Sequence, residues 1–183
     1  MVQMDIRSLE AACLEQGAFK ARVIDTDSIP FDKGLRAYCE ANMCGSYDKN
    51  WACPPGVGEP DELIARAGGY SHALVFQTVG ELEDSFDLEG MEAAAARHAA
   101  VAEAVRGRVT GEMSSYLFLT AGGCTVCKTC ARAEDKPCRF PEKAISSLEA
   151  YCINVAALAG RCGMKYINGK DTVTYFGAIL FQD

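Results

Sequence analysis

Cys124-Thr125-Val126-Cys127-Lys128-Thr129-Cys130 is a C-x2-C-x2-C run, followed after seven residues by Cys138, with Pro141 just beyond. Three thiolates at two-residue intervals on one tight loop wrap successive corners of a cubane, and a fourth from downstream completes the set, as in ferredoxin-type [4Fe–4S] ligation. Zinc is the other chemistry open to this run, although zinc more often takes two separated cysteine pairs that approach a tetrahedral ion from opposite sides. The group that comes first in the chain, Cys39, Cys44 and Cys53 in a C-x4-C-x8-C pattern, surrounds the only tryptophan, Trp51. Three thiolates hold a cubane with one iron open to water, substrate or a non-cysteine ligand, much as catalytic zinc keeps an open position. Buried or incidental thiols are the competing reading of this looser spacing.

A fourth ligand for the first group is sought among Cys152, Cys162 and Asp48. Cys138 is another candidate, because in two-cluster ferredoxins the fourth cysteine of a run ligates the other cluster. Against this, Cys152 and Cys162 fall on one apolar helical face with Leu148, Val155 and Ala159, and Cys13 lies on another with Ile6 and Leu9, so all three also read as small core residues. Tyr47 and Trp51 serve either to shield a cluster from water or simply to anchor their loop. Gly122 and Gly123 let the backbone approach closely, so that amide groups can turn toward sulfur. Between Cys124 and Lys143 five basic residues (Lys128, Arg132, Lys136, Arg139, Lys143) outnumber three acidic ones, a net +2 in a chain of net charge −7. That local excess suits a reduced, more negative centre and an acidic electron donor, unless it is only a solvated loop of mixed charge.

The elements that must position these cysteines follow from a chain of 183 residues that is 49% apolar, a length and composition expected of one packed domain over residues 1–183. An apolar stripe and the stop at Gly17 predict a helix over 5–16, and 21–24 reads as a short strand. Residues 25–58 read as one long loop that needs something to hold it. A helix is expected over 59–67, a buried strand over 73–79, and a long helix over 88–108 with Asp87 as N-cap and a stripe of Leu88, Met91, Ala95, Ala102 and Val105. Residues 116–120 read as a strand whose end delivers Gly122-Gly123 and the four-cysteine run. Ser146 and Glu149 offer a capping box opening a helix to about Arg161, and 165–167 with 172–181 reads as a hairpin turned by Asn168-Gly169. The sum is a single α/β domain with a mixed sheet of about four to five strands, flanking helices and two cysteine-rich metal-binding loops.

Charge and hydropathy exclude much else. A net charge of −7 and a pI of about 4.9 argue against a nucleic-acid or anionic-membrane surface. No long apolar run and no basic, apolar leader at the start indicate insertion or export, so a cytoplasmic setting is expected. In a reducing compartment ten cysteines are not a disulfide framework, which leaves metal or redox chemistry. His72 and His98 lack a partner at ligand or triad spacing and read as surface or core residues. Gly56-Val57-Gly58 lacks the third glycine of a dinucleotide fingerprint, no P-loop is present, and the acidic stretch 81–89 reads as a solvated loop.

Two segments together, Tyr47 to Gly56 with its Trp-Ala-Cys-Pro-Pro core and Gly122 through Cys138-Arg139-Phe140-Pro141 to Leu148-Glu149-Ala150, resemble a known family. It is the cysteine-rich predicted metal-binding protein family of bacteria and archaea, a domain of unknown function. The resemblance runs in order over nearly the whole chain and implies metal binding by the seven cysteines in a prokaryotic cytoplasm, with no known reaction attached. The chain departs from that family's pattern at Ile145 to Ala150, where an arginine is missing, at Asn154, where the family has aspartate, and at Cys152, which stands in place of glycine.

The cofactor expected is one [4Fe–4S] cluster at minimum and two by the count of thiolates, with zinc as the alternative. Electron transfer, or a small redox enzyme with an open iron, is the corresponding function, and a non-redox zinc adaptor or metal-handling protein is the other. The partner would be a redox protein or a small-molecule substrate.

Overall fold

A computed structural model describes residues 5–182. Helix α1 (Ile6–Glu15) starts where Asp5 accepts a hydrogen bond from the Arg7 N–H at 3.1 Å, and it buries Leu9, Ala12 and Cys13. Strand β1 (Lys20–Asp25) follows. The stretch read as one loop, 25–58, contains two single 3-10 turns and a short helix, α2 (Arg36–Glu40), so Cys39 sits on a helix. Helix α3 (Pro60–Gly68) takes Pro60 and two acids in its first turn, where a missing N–H and negative charge are both tolerated. Strand β2 (His72–Glu81) leads to α4 (Leu88–Val109), capped by Asp87 accepting from the Gly90 N–H at 2.8 Å. Strand β3 (Tyr116–Thr120) precedes the four-cysteine run, and β5 (Thr172–Phe181) closes the chain.

Between them the expected helix over 146–161 is broken. Ser146–Ser147 forms β4, beside β3 in parallel, and Glu149–Tyr151 is a 3-10 turn. Cys152 adopts a left-handed φ of 58°, and only then does Asn154 cap α5 (Val155–Arg161) by accepting from the Ala157 N–H at 3.0 Å. The Ser147 hydroxyl accepts from the Ala150 N–H at 3.0 Å, so the serines serve a turn and not a helix start. The expected hairpin at the end is also replaced: 165–167 is not a strand, and β5 pairs along its length with β2 and over its C-terminal half with β3.

The five strands run in the order β1-β2-β5-β3-β4, antiparallel except for the β3–β4 pair. Alternation along each strand loads both faces. Leu74, Phe76, Phe118, Ile179 and Phe181 meet α1 and α4 on one side, while Val75, Leu119, Phe176, Ala178 and Leu180 meet α3, α5 and the 148–153 segment on the other. The sheet is thus the middle of three layers, and it carries the four-cysteine run on the end of β3.

The stripe expected on α4 turns differently from its reading. Leu88 is exposed, and Ala94, His98, Val101, Ala102, Val105 and Val109 face the sheet. His98 is a core residue: Nδ1 lies 2.8 Å from Thr78 Oγ1 and Nε2 3.1 Å from Thr120 Oγ1, and burial pushes its pKa down to about 4. A histidine whose folded pKa lies below its unfolded value of about 6.5 leaves the unfolded state holding more protons between those two limits. Stability therefore falls as pH drops from about 6.5 toward 4, by up to roughly 3 kcal/mol for this group alone at about 1.4 kcal/mol per unit. Urea unfolding at pH 7 and pH 4.5 checks it: His98→Gln should lose most of the pH-dependent difference, and an unchanged difference refutes the assignment.

Candidate metal centre

The end of β3 is fixed from both sides. Thr120 Oγ1 meets His98, and Thr120 O accepts from the Leu148 N–H at 3.1 Å. Gly122 then turns at φ 75°, and the chain enters the four-cysteine run. Cys124, Cys127, Cys130 and Cys138 all line one small cavity of about 20 Å³, with Trp51, Val126 and Phe140 around them. The four thiols are thus neighbours despite the seven-residue gap before Cys138.

The first group lies against this run. Asn50 Nδ2 donates to Cys124 O at 2.9 Å while its Oδ1 accepts from the Ala52 N–H at 3.0 Å, so one side chain latches the two loops together. The Trp51 N–H donates to Cys130 Sγ at 3.4 Å, and Trp51 Nε1–H donates to Lys136 O at 2.8 Å. The approach at Gly123 is close: a Cβ there would stand 3.1 Å from Asn50 Nδ2 and 3.2 Å from Cys53 Sγ, so a side chain would press on both. Burial pushes the Cys53 thiol up to about 11, and the charges of Cys44, Cys39, Cys124 and Cys130 all add to that rise. Cys53 is therefore the point at which the two groups meet. Burial likewise raises Cys39, partly offset by Arg36, with Cys44 and Cys152 raising it further.

Several roles open in the sequence are assigned by these contacts. Trp51 is an anchor, hydrogen-bonded at both nitrogens with the Arg132 guanidinium 4.8 Å above its ring. Asp48 is held by Arg132, whose Nε donates to its Oδ1 at 2.9 Å, so its carboxylate is engaged in an ion pair. The local positive excess is largely spent within the loops: Arg132 on Asp48, Lys136 on Glu134 at 2.8 Å and Arg139 near the same carboxylate at 3.8 Å. Lys128 and Lys143 have no carboxylate partner among the described residues. Cys13, pushed up to about 12 by burial, stays in the core beneath α1, and Cys162 packs behind α5 with Arg22 and Glu10 as its charged neighbours. Neither is beside a cysteine group. Arg36 is buried, its charge is felt by Cys39 and Cys152, and nothing in the spacing of the cysteines points to it.

Among the described residues, no three His, Cys, Asp or Glu side chains converge on a point that would hold a single metal ion. What the arrangement supplies is a set of soft donors spread around a cavity, with one backbone N–H already directed at a sulfur.

An α/β body that projects two adjoining cysteine loops from one end of its sheet defines a cysteine-rich metal-binding domain. The chain belongs to the predicted metal-binding protein family DUF2284, whose model matches residues 22–181. No curated protein and no solved structure matches it. The family match spans both cysteine groups and the sheet from Arg22 of β1 through β5, and it leaves α1 outside. No helix among the described residues is long and apolar enough to cross a membrane.

Proposed function

We propose that this protein is an iron–sulfur electron-transfer protein carrying two [4Fe–4S] clusters, one on Cys124, Cys127, Cys130 and Cys138 and one on Cys39, Cys44 and Cys53. The observation that carries this reading is the ring of four cysteines around a single cavity, with the Trp51 N–H donating to Cys130 Sγ at 3.4 Å. Soft thiolates favour iron–sulfur and zinc over hard cations, and amide hydrogen bonds to sulfur are a recognised means of setting cluster potential. When bound, such clusters take up and release single electrons without large rearrangement of their ligands.

The chain's own residues prepare the site for that task. Asn50 and the Asp48–Arg132 pair hold the two loops at a fixed separation, and Cys53 lies between the groups, which favours passage of an electron from one to the other. Val126 and Phe140 are exposed at the rim of the four-cysteine cavity, with Lys143 5.4 Å from the Phe140 ring and Lys128 nearby in sequence. An apolar contact ringed by cations suits an acidic protein redox partner in the cytoplasm.

Anaerobic purification with iron, acid-labile sulfide and absorption measurements tests the reading. The expected result is about eight iron and eight sulfide per chain with broad absorption near about 400 nm. About four iron would leave the first group as free thiols. Colourless protein with stoichiometric zinc would replace the proposal by a non-redox zinc module.

A further inference from the structure

Two buried groups beside the first cysteine group are unexplained by the three cysteines alone. Arg36 is only 8% exposed; Nη2 donates to Gly58 O at 2.9 Å, Nε has no hydrogen-bond partner, and no carboxylate pairs with it among the described residues. A desolvated guanidinium with an orphaned donor costs several kcal/mol unless an anion accompanies it. Arg36 lies on α2 one turn before Cys39, and it is buried as Cys152 is.

Cys152 is the second group. It is fully buried, at 0% exposure, and holds a left-handed φ of 58° that glycine would adopt without strain. Its segment is pinned to the chain that leads into α2. Asp32 N–H donates to Cys152 O at 2.7 Å, Asn154 N–H to Pro30 O at 2.9 Å, and Phe31 bridges Ile153. Helix α2 in turn packs on the 149–151 turn, which brings the elements that carry Cys39 and Cys152 together.

We propose that Cys152 is the fourth thiolate of the Cys39/Cys44/Cys53 centre, with Arg36 as its buried counter-cation. This rests on the iron–sulfur reading above and makes the first centre a fully thiolate-ligated relay in place of an open-iron site. Ligation would exchange the S–H bond of Cys152 for an S–Fe bond, with the proton leaving to solvent. Arg36 would then have a net negative group nearby to balance its buried charge.

The test compares the iron-loaded wild type with Cys152→Gly, which suits the local φ and should fold, and Cys152→Ser, which keeps a weaker oxygen ligand. Iron, sulfide and EPR of the reduced protein are read with far-UV circular dichroism as the control for folding. Cys152→Gly should lose the first centre, taking iron from about eight to about four per chain, or retain it as a three-iron species with its own signal. Cys152→Ser should keep more iron with an altered signal, while Glu149→Gln and Cys162→Ala, near and far controls, should match the wild type. Arg36→Met should load iron but move the midpoint of one centre to more negative potential. Cys152 variants that keep wild-type iron and an unchanged spectrum overturn the proposal and leave the two-cluster reading standing. A wild type that holds no iron overturns both.

Discussion

Cys127→Ser protein should emerge from anaerobic purification with roughly half the wild-type iron and sulfide, the remainder belonging to the Cys39/Cys44/Cys53 centre. Cys127 lies in the middle of the run, between Cys124 and Cys130 on the wall of one cavity, so no neighbouring thiol can replace it without refolding the loop. Its loss also reaches the first group, because Asn50 and Trp51 hold on to Cys124 O and Cys130 Sγ. A ligand present at a thousand times its Kd stabilises the form that binds it by about 4 kcal/mol, which sets the scale of the stability lost with one centre. That loss should fall on the loops. Both hydrophobic layers, around Val75 and Leu180 and around Phe76 and Val105, are built without any of the seven cysteines, so far-UV circular dichroism should change little while proteolysis between 121 and 145 accelerates. Full iron in a folded Cys127→Ser variant would remove this cysteine from the ligand set. Cys13→Ala is the contrast: it should open a core cavity beneath α1 and leave iron content alone.

The body of the fold is legible in the sequence wherever local chemistry and burial agree. Asp5, Asp87 and Pro60 mark helix starts that the structure keeps, and the apolar runs at 73–79 and 116–120 become β2 and β3. Between 146 and 161 the two signals part. Leu148, Cys152, Val155, Ala159 and Cys162 are all buried, as one helical face predicts, yet the chain reaches that burial through a strand, a 3-10 turn and a left-handed cysteine. A parallel pairing with β3, more than twenty-five residues upstream, outweighs a capping box, and no local pattern encodes such a partner. The same limit explains β5, which pairs with strands far away in sequence where a local hairpin was expected. At the site, residue type and spacing single out the thiols as candidate donors. Their order in space did not follow, since it depends on Asn50, Trp51 and Asp48 reaching about eighty residues along the chain to 124–136. Cys152 and Cys162 were indistinguishable by spacing, and the backbone separates them, one toward α2 and the other behind α5.

Gly177→Val should destabilise the protein by about 3 kcal/mol or more, the largest single-residue effect expected outside the cysteine loops. Gly177 pairs with Phe76 across the β2–β5 ladder, and the Phe76 ring lies over it, so a Cβ at 177 would stand 2.4 Å from Cζ and 2.8 Å from Cε2. The ring has little room to retreat: Phe76 is fully buried and stacks on His98 at 6.1 Å between centroids. Pushing it outward moves α4, and with it the imidazole that touches Thr78 and Thr120. Thr120 is the last residue of β3 before the Gly122 turn, so the disturbance runs to the base of the four-cysteine run. Gly177→Ala should cost about 1–3 kcal/mol by urea unfolding, and Phe76→Leu, which shortens the opposing side chain, should recover part of the Gly177→Val loss in the double variant. Gly177→Ala within about 0.5 kcal/mol of wild type would show that the ring does not occupy this position. If the path through His98 and Thr120 carries the strain as described, Gly177→Val will also lower the iron retained on the Cys124–Cys138 loop, whereas a purely local packing fault would leave iron per folded chain unchanged.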